Sequence, residues 1–410
     1  MRTRDRSKKG KIENESSQVT SETTRYVEDS IPSDLVFEIL RRLPVKSVAR
    51  FLLVSKLWVK IIRSQDFIRL FPLPSSLQPR QLLAFKCLDN ENERQIWKFF
   101  SSTSTTSMME TLSYLSLATC PIANMPKGID NYVNEVPHYV NGLISLGCGR
   151  EQIICNPSTG TSITLPKVKS RKKIIRSFFG YDPVDGQYKV LCMSEKLHDY
   201  WHAPSVEHQV FTLGGVNKSW RMIECNILHR AKTNGVCING VVYYGAWMID
   251  TSVRECVSKK KWCLARFDVR SEKFDQVVQI LGVPFVRNFH HPSLISYKGK
   301  ASTVSETKRQ RFELWVLEDA EKHEWSKVCF FIHHPLIDSW GPNLRIRGYS
   351  IHTDEIVFVS HDHQEDFYIL YYQQNKSFRC FTVKGYLSTD VGRFTDVFPF
   401  FNYEETVMFL

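Results

Sequence analysis

The chain has 410 residues, of which 42% are hydrophobic and 12% aromatic, and a formal net charge of +11. That content excludes a disordered chain and leaves room for roughly two or three domains at about 100–200 residues each. No apolar run approaches the roughly 18 residues of a spanning helix, and the opening MRTRDRSKKGK has no apolar stretch behind its charges, so a soluble protein of the nucleus or cytoplasm without a membrane partner is expected.

In chain order, residues 1–30 are charged and poor in apolar side chains, which predicts a basic, polar, disordered tail. Residues 31–71 read as helical. Residues 72–80, with Pro72, Pro74 and Pro79, read as a stiff connector, and residues 81–410 turn to short β-branched and aromatic runs separated by turns.

The segment IPSDLVFEILRRLPVKSVARFLLVSKLWVKII, residues 31–62, carries more apolar side chains than so short a unit can bury against itself. Pro32 fits a first helical turn, and Leu35, Val36, Ile39, Leu40 and Leu43 recur at spacings of three and four. Pro44 stops that helix, Ser47 is the expected cap of a second carrying Val48 and Phe51, and Ser55 that of a third, with Val54, Trp58, Ile61 and Ile62 at i, i+4, i+7 and i+8. Three short helices are therefore predicted. A unit of about 40 residues is near the lower limit for independent folding, so it needs either the following domain or another protein to cover it.

The same string resembles the F-box, in its Ile-Pro opening, its EIL-RLP-KS middle and its closing VSK-W, over residues 31 to about 67. The resemblance implies docking on the Skp-type adaptor of a cullin-RING ubiquitin ligase. The positions it carries over are Ile31, Pro32, Leu35, Ile39, Leu43, Pro44, Val48, Phe51, Val54 and Trp58, with the two prolines fixing corners and the apolar side chains filling the adaptor's groove. Leu52 departs from the pattern, because the family often has a basic residue there, and its loss would touch only a peripheral polar contact. On this reading the surplus apolar surface is an interface.

Beyond residue 80 turn signals recur in pairs. The first of each pair is a short hairpin: Asn141-Gly142, Asp185-Gly186, Asn239-Gly240, Lys298-Gly299 and Thr353-Asp354, where the Asn-Gly and Asp-Gly steps favour positive φ at both central residues. The second is a polar turn followed by a bulky residue, as in NPSTGTSITLP, GGVNKSWRMI, DVRSEKFDQVV, EDAEKHEWSKV and YQQNKSFRCF. Trp220, Phe274, Trp325 and Phe378 stand 54, 51 and 53 residues apart. A period near 50 with two hairpins per unit predicts a β-propeller of about six four-stranded blades, with the sixth assembled from residues 81–100 and closed by the final ETVMFL. A pair of β-sandwiches is the competing architecture, and the regular period argues against it. The strings ICNPSTG, FGYDPVDGQYKVL and NGVCINGVVYYGAW also resemble the F-box-associated, kelch-like domain, which implies a binding platform and names no ligand.

No catalytic constellation emerges. The eleven cysteines are odd in number, scattered and never CxxC, which predicts reduced core thiols. The histidine pairs at 290–291, 333–334 and 361–363 lack partner ligands, so no metal, no cofactor and no catalytic residue is expected. The basic runs at residues 2–11 and 167–176 carry no interleaved aromatics or nucleic-acid motif, and they read as solvated charge rather than a nucleic-acid site.

The expectation is a non-catalytic substrate receptor that joins an adaptor, and through it cullin and RING subunits, to an unknown target protein. A metabolite-sensing or enzymatic propeller carrying the same helical unit is the alternative. Tyr200 and Trp201, in the insert SEKLHDYWHAPSVEHQ, are the expected target-facing side chains.

Overall fold

The fold is described from a computed structural model. It covers residues 31–71 and most of 80–408. Outside the description lie 1–30, 72–79, 103–114, 123–135, 196–204, 249–260, 280–292, 333–343 and 384–392, with shorter stretches at 90–93, 216, 309–310, 362–366, 374–376 and 409–410.

Six four-stranded antiparallel sheets form the β part, numbered here as blades in chain order. The first joins β1 (Arg80–Asp89), β2 (Arg94–Ser102) and β3 (Leu115–Ile122) to the last strand of the chain. The second holds β4 (His138–Val140), β5 (Leu143–Cys148), β6 (Glu151–Asn156) and β7 (Thr161–Thr164). The third holds β8 (Lys173–Asp182), β9 (Gln187–Glu195), β10 (Glu207–Thr212) and β11 (Arg221–Ile223), and the fourth β12 (His229–Ile238), β13 (Val241–Met248), β14 (Lys261–Asp268) and β15 (Lys273–Gln279). The fifth holds β16 (Ser293–Tyr297), β17 (Lys300–Lys308), β18 (Arg311–Asp319) and β19 (Glu324–Phe331). The sixth holds β20 (Arg345–Ser350), β21 (Glu355–His361), β22 (Phe367–Gln373) and β23 (Phe378–Val383). A six-bladed propeller, and not a pair of sandwiches, is the architecture.

Packing of blade on blade explains the texture of the strands. β9 is buried along its whole length after Gln187, because both faces meet neighbours, and it reads as an apolar run. β7, an outer strand, alternates half-buried with exposed positions. Apolar clusters accordingly run between neighbouring blades: Phe312, Phe330 and Phe358 meet between the fifth and sixth, and Phe178, Tyr244 and Phe267 between the third and fourth.

The hairpins fall where their sequence signals placed them. Asn141-Gly142, Asn239-Gly240 and Lys298-Gly299 all have positive φ at both residues. The turns at Asp185-Gly186 and Thr353-Asp354 differ, because each loop has four residues between paired strand ends, and only Gly186 and Asp354 are left-handed. A second device recurs in the polar turns. The side chains of Asn156, Asp268 and Asp319 accept backbone N–H bonds from Ser158, Ser271 and Glu321, at 3.0, 2.6 and 2.8 Å, and Gly160, Glu272 and His323, each four residues after the acceptor, turn left-handed.

Closure of the ring corrects the expectation for the final residues. The closing strand is β24 (Arg393–Tyr403), which pairs antiparallel with β1 and so removes the two open edges at the chain ends. Residues 405–408 of ETVMFL form no strand. Its residues Thr406 to Met408 run onto the helical unit, and Val407 is fully buried there.

The helical unit has four helices where three were expected: α1 (Ser33–Arg41), α2 (Val45–Phe51), α3 (Lys56–Ile62) and α4 (Gln65–Leu70). Pro32 and Pro44 each precede a helix as its N-cap. The Pro44 carbonyl accepts from Ser47 and Val48 N–H, so α2 starts at Val45 and Ser47 lies inside it instead of capping it. Ser55 caps α3 as expected, accepting from Trp58 N–H at 3.4 Å, and Ser64 does the same for α4 from Phe67 N–H at 3.2 Å. Val36, Leu40, Val45, Val48, Ile62, Phe67 and Phe71 form a small core, and Val407 is its eighth buried member.

The seven cysteines whose side chains are described are free. Cys155, Cys192 and Cys263 are buried as expected, whereas Cys329 is exposed. Among the described residues no helix is long and apolar enough to cross a membrane.

Candidate partner-docking surface

On α1 the predicted apolar stripe divides in two. Val36 and Leu40 turn inward to the small core, whereas Leu35 and Ile39, with Ile31 just ahead of the helix, stand open to solvent, Leu35 being 56% exposed. The turn between α2 and α3 also exposes Val54 and Leu53, the latter 92% exposed, and α3 exposes Leu57. These side chains are not needed to seal the helical core, and they lie outside the buried clusters of the β body.

The remaining sequence-predicted positions fall into three kinds. Pro32 and Pro44 are exposed and set the entries of α1 and α2. Leu43, Phe51 and Trp58 are half-buried at the margin of the core. Phe51 and Trp58 stack on each other with centroids 4.6 Å apart, so each offers a partner only an edge or its outer face. Val48 is a correction, because at 0% exposure it is wholly enclosed by its own helices and cannot touch a partner. Leu52 also turns inward against the core, which makes it a packing residue and not the site of a lost polar contact. Leu53 and Leu57 are exposed apolar positions that the sequence reading did not single out.

The same helices carry exposed cations. Arg42, Lys46, Arg50, Lys56, Lys60 and Arg63 are exposed, and the neighbouring acids are only Asp34, Glu38 and Asp66. Glu38 is taken up by Arg41 and Arg42, the latter at 2.9 Å. The exposed side chains of the unit are therefore apolar and, on balance, positive. By contrast the basic run at 167–176 is partly neutralised, Lys167 pairing with Glu151 at 3.2 Å and Lys172 with Glu207 at 2.9 Å.

The unit is held against the β part by the C-terminal segment. Val407 plugs the helical core, and Asn156, at the end of β6, donates its side-chain N–H groups to the carbonyls of Thr406 and Met408 at 3.1 and 2.8 Å. The Asn156 carbonyl oxygen meanwhile holds its own turn. Tyr139 accepts from Glu404 N–H at 2.8 Å, and Ser158 and Tyr403 share a hydrogen bond of 2.5 Å.

Tyr200 and Trp201 lie outside the described residues, as do the histidine pairs at 290–291 and 333–334. Among the described residues the one group of three metal-ligating side chains is His208, Cys225 and His229, in the third and fourth blades.

A helical unit with an uncovered apolar face, seated on a closed propeller, is a two-module binding protein. Its helices match the F-box domain over residues 29–70, and its β part matches the F-box associated beta propeller domain over residues 82–404. The Arabidopsis thaliana F-box protein At4g11590 is 41% identical over 93% of this chain and 93% of its own, and At1g31000 of the same plant is 46% identical over 100% and 99%. The chain belongs to the F-box proteins that carry an F-box associated propeller. Members of this family are characteristically non-catalytic adaptors, and the architecture is typical of SCF substrate-recognition subunits.

Proposed function

We propose that this chain is the substrate-recognition subunit of an SCF ubiquitin ligase. Its helical unit docks a Skp-type adaptor through Ile31, Leu35, Ile39, Leu53, Val54 and Leu57, with Pro32, Leu43, Pro44, Phe51 and Trp58 as margin and support. Its propeller holds a target protein. The receptor makes and breaks no bonds itself; it raises the effective concentration of target lysines beside the conjugating subunit.

The observation that carries this reading is the divided stripe of α1. A helix that served only as a lid would bury its apolar residues, whereas here the core is closed by Val36 and Leu40 while Leu35 and Ile39 remain outside. Stable interfaces rest on a few central apolar anchors, and these side chains have that character.

The test is a binding titration between the full chain and a recombinant Skp-type adaptor. Leu35→Lys with Ile39→Lys alters only exposed positions, so thermal unfolding stays near wild type while adaptor affinity falls at least about a hundredfold. Undiminished affinity in a variant that unfolds normally would overturn the proposal.

A further inference from the structure

The third and fourth blades meet at a cluster outside the docking surface. His208 comes from β10, Cys225 from the connection between β11 and β12, and His229 is the first residue of β12. One ligand atom from each lies within 4.8 Å of the others. Cys225 Sγ is 3.8 Å from His229 Nδ1, and both face the Ile227 carbonyl, which is 3.4 Å from the sulfur and 2.9 Å from the nitrogen. Phe274 and Tyr244 wall the group with their rings.

Two features point to a ligand. His208 is 4% exposed, and its Nε2 has no hydrogen-bond partner among the described residues, a costly state for a buried imidazole nitrogen. His229 Nε2 meets the Tyr244 hydroxyl at 2.7 Å, which is the outer oxygen partner that ligating histidines normally have. Burial lowers the pKa of both imidazoles, that of His208 down to about 3 with a lesser contribution from His229.

We propose that His208, Cys225 and His229 bind Zn²⁺ and staple the third blade to the fourth. Tetrahedral zinc, with bonds of about 2.3 Å to sulfur and about 2.0 Å to nitrogen, spaces S and N ligands by about 3.5 Å. The Cys225–His229 edge is already near that value, and neither edge to His208 exceeds 4.8 Å. The Ile227 carbonyl takes the fourth corner.

The proton balance is simple. Without metal, His229 Nδ1–H donates to Ile227, since a carbonyl only accepts, and the Tyr244 hydroxyl donates to Nε2. On binding, the His229 proton shifts to Nε2, Tyr244 becomes its acceptor, and the Cys225 thiol proton leaves to solvent, one per zinc. Burial that pushes the Cys225 thiol up in the metal-free chain is offset by the cation.

The test uses the full chain, stripped with chelator and titrated with zinc. Wild type and Cys329→Ser, whose thiol is exposed and remote in sequence, take up about one equivalent, and Cys225→Ser and His208→Gln bind at least about tenfold more weakly. Wild-type chain that takes up no zinc, or equal binding by both ligand variants, would overturn the site. Should those variants fail to fold, Co²⁺ on wild type decides it. A thiolate-to-cobalt charge-transfer band, with Cys225 shielded from alkylation, supports the site, and bound cobalt without that band refutes it.

Discussion

Asn156 shows how much one side chain can hold. It ends β6, shapes its own turn through its carbonyl oxygen, and ties the C-terminal segment down through its amide. Asn156→Ala takes this partner from two carbonyls and from the N–H groups of Ser158 and Thr159, at about 1–3 kcal/mol for each group that water does not reach. Hydrogen exchange at Val407 and Met408 is expected to rise well before exchange in the central strands; uniform protection across the chain would refute the role. Gly142 is as constrained for a different reason. Its φ is +83°, and an added Cβ would stand 2.7 Å from the Thr406 side chain and 2.8 Å from the Glu404 carbonyl, so Gly142→Ala strains the turn and displaces the same segment. Neither role was legible: the sequence marks Asn156 and Gly142 as turn residues, but the carbonyls they meet lie some 250 positions away. The inward and outward halves of α1 were also merged in the sequence, because a period of 3.6 marks an apolar stripe without saying how wide a sector its own core will cover. Val48 was misassigned for that reason.

At the scale of elements, the contact between third and fourth blades carries an ionic latch. Glu272, left-handed in the turn before β15, meets Lys189 of β9 at 2.7 Å and Arg221 of β11, and Lys189 also donates to the Val269 carbonyl at 2.8 Å. Burial alone would push the Glu272 carboxyl up, but the hydrogen bonds and charges of Arg221 and Lys189 outweigh it and hold it below the usual carboxylate range. A carboxyl depressed in the folded state contributes stability above its unfolded value, near 4.5, and loses it as pH falls through the lower folded value. Glu272→Gln should therefore lower the Tm at pH 7, with the gap to wild type narrowing below about pH 4. A gap independent of pH would mean that the charge is not what stabilises the turn. The turn itself was legible as a polar hairpin, but its ionic partners were not, since they come from the preceding blade. The C-terminal segment was misread on similar grounds: ETVMFL has the composition of a strand, yet the edge of β1 is already filled by β24. Val407 has the helical core as its apolar cover. Val407→Asp puts a charge into that core and should unprotect α1 and α4 to hydrogen exchange while the blades keep their protection. Loss of protection everywhere would instead make the two units one cooperative body.

For the whole molecule, the ring was legible because each blade repeats its own pair of turns, whereas the identity of the closing strand depended on which late segment could pair with β1. The charge of +11 was legible as a number and not as a place. In the fold, part of it falls on the helical unit that carries the open apolar side chains, where Lys46, Arg50, Lys56 and Lys60 are exposed. A partner that fits this unit must present apolar pockets and acidic groups. Rim charges act mainly on the encounter, because they remain solvated, whereas central apolar contacts set how long the complex lasts. Lys56→Glu with Lys60→Glu is thus expected to slow adaptor association about tenfold at low salt, with little change in dissociation, and to flatten the dependence of the wild-type association rate on ionic strength. The Leu35 and Ile39 substitutions should do the reverse and speed dissociation. Stopped-flow measurement of both rates across a salt series separates the two. If the charge reversal left association unchanged while the apolar substitutions still broke the complex, the cations would belong to the solvated exterior and not to the interface.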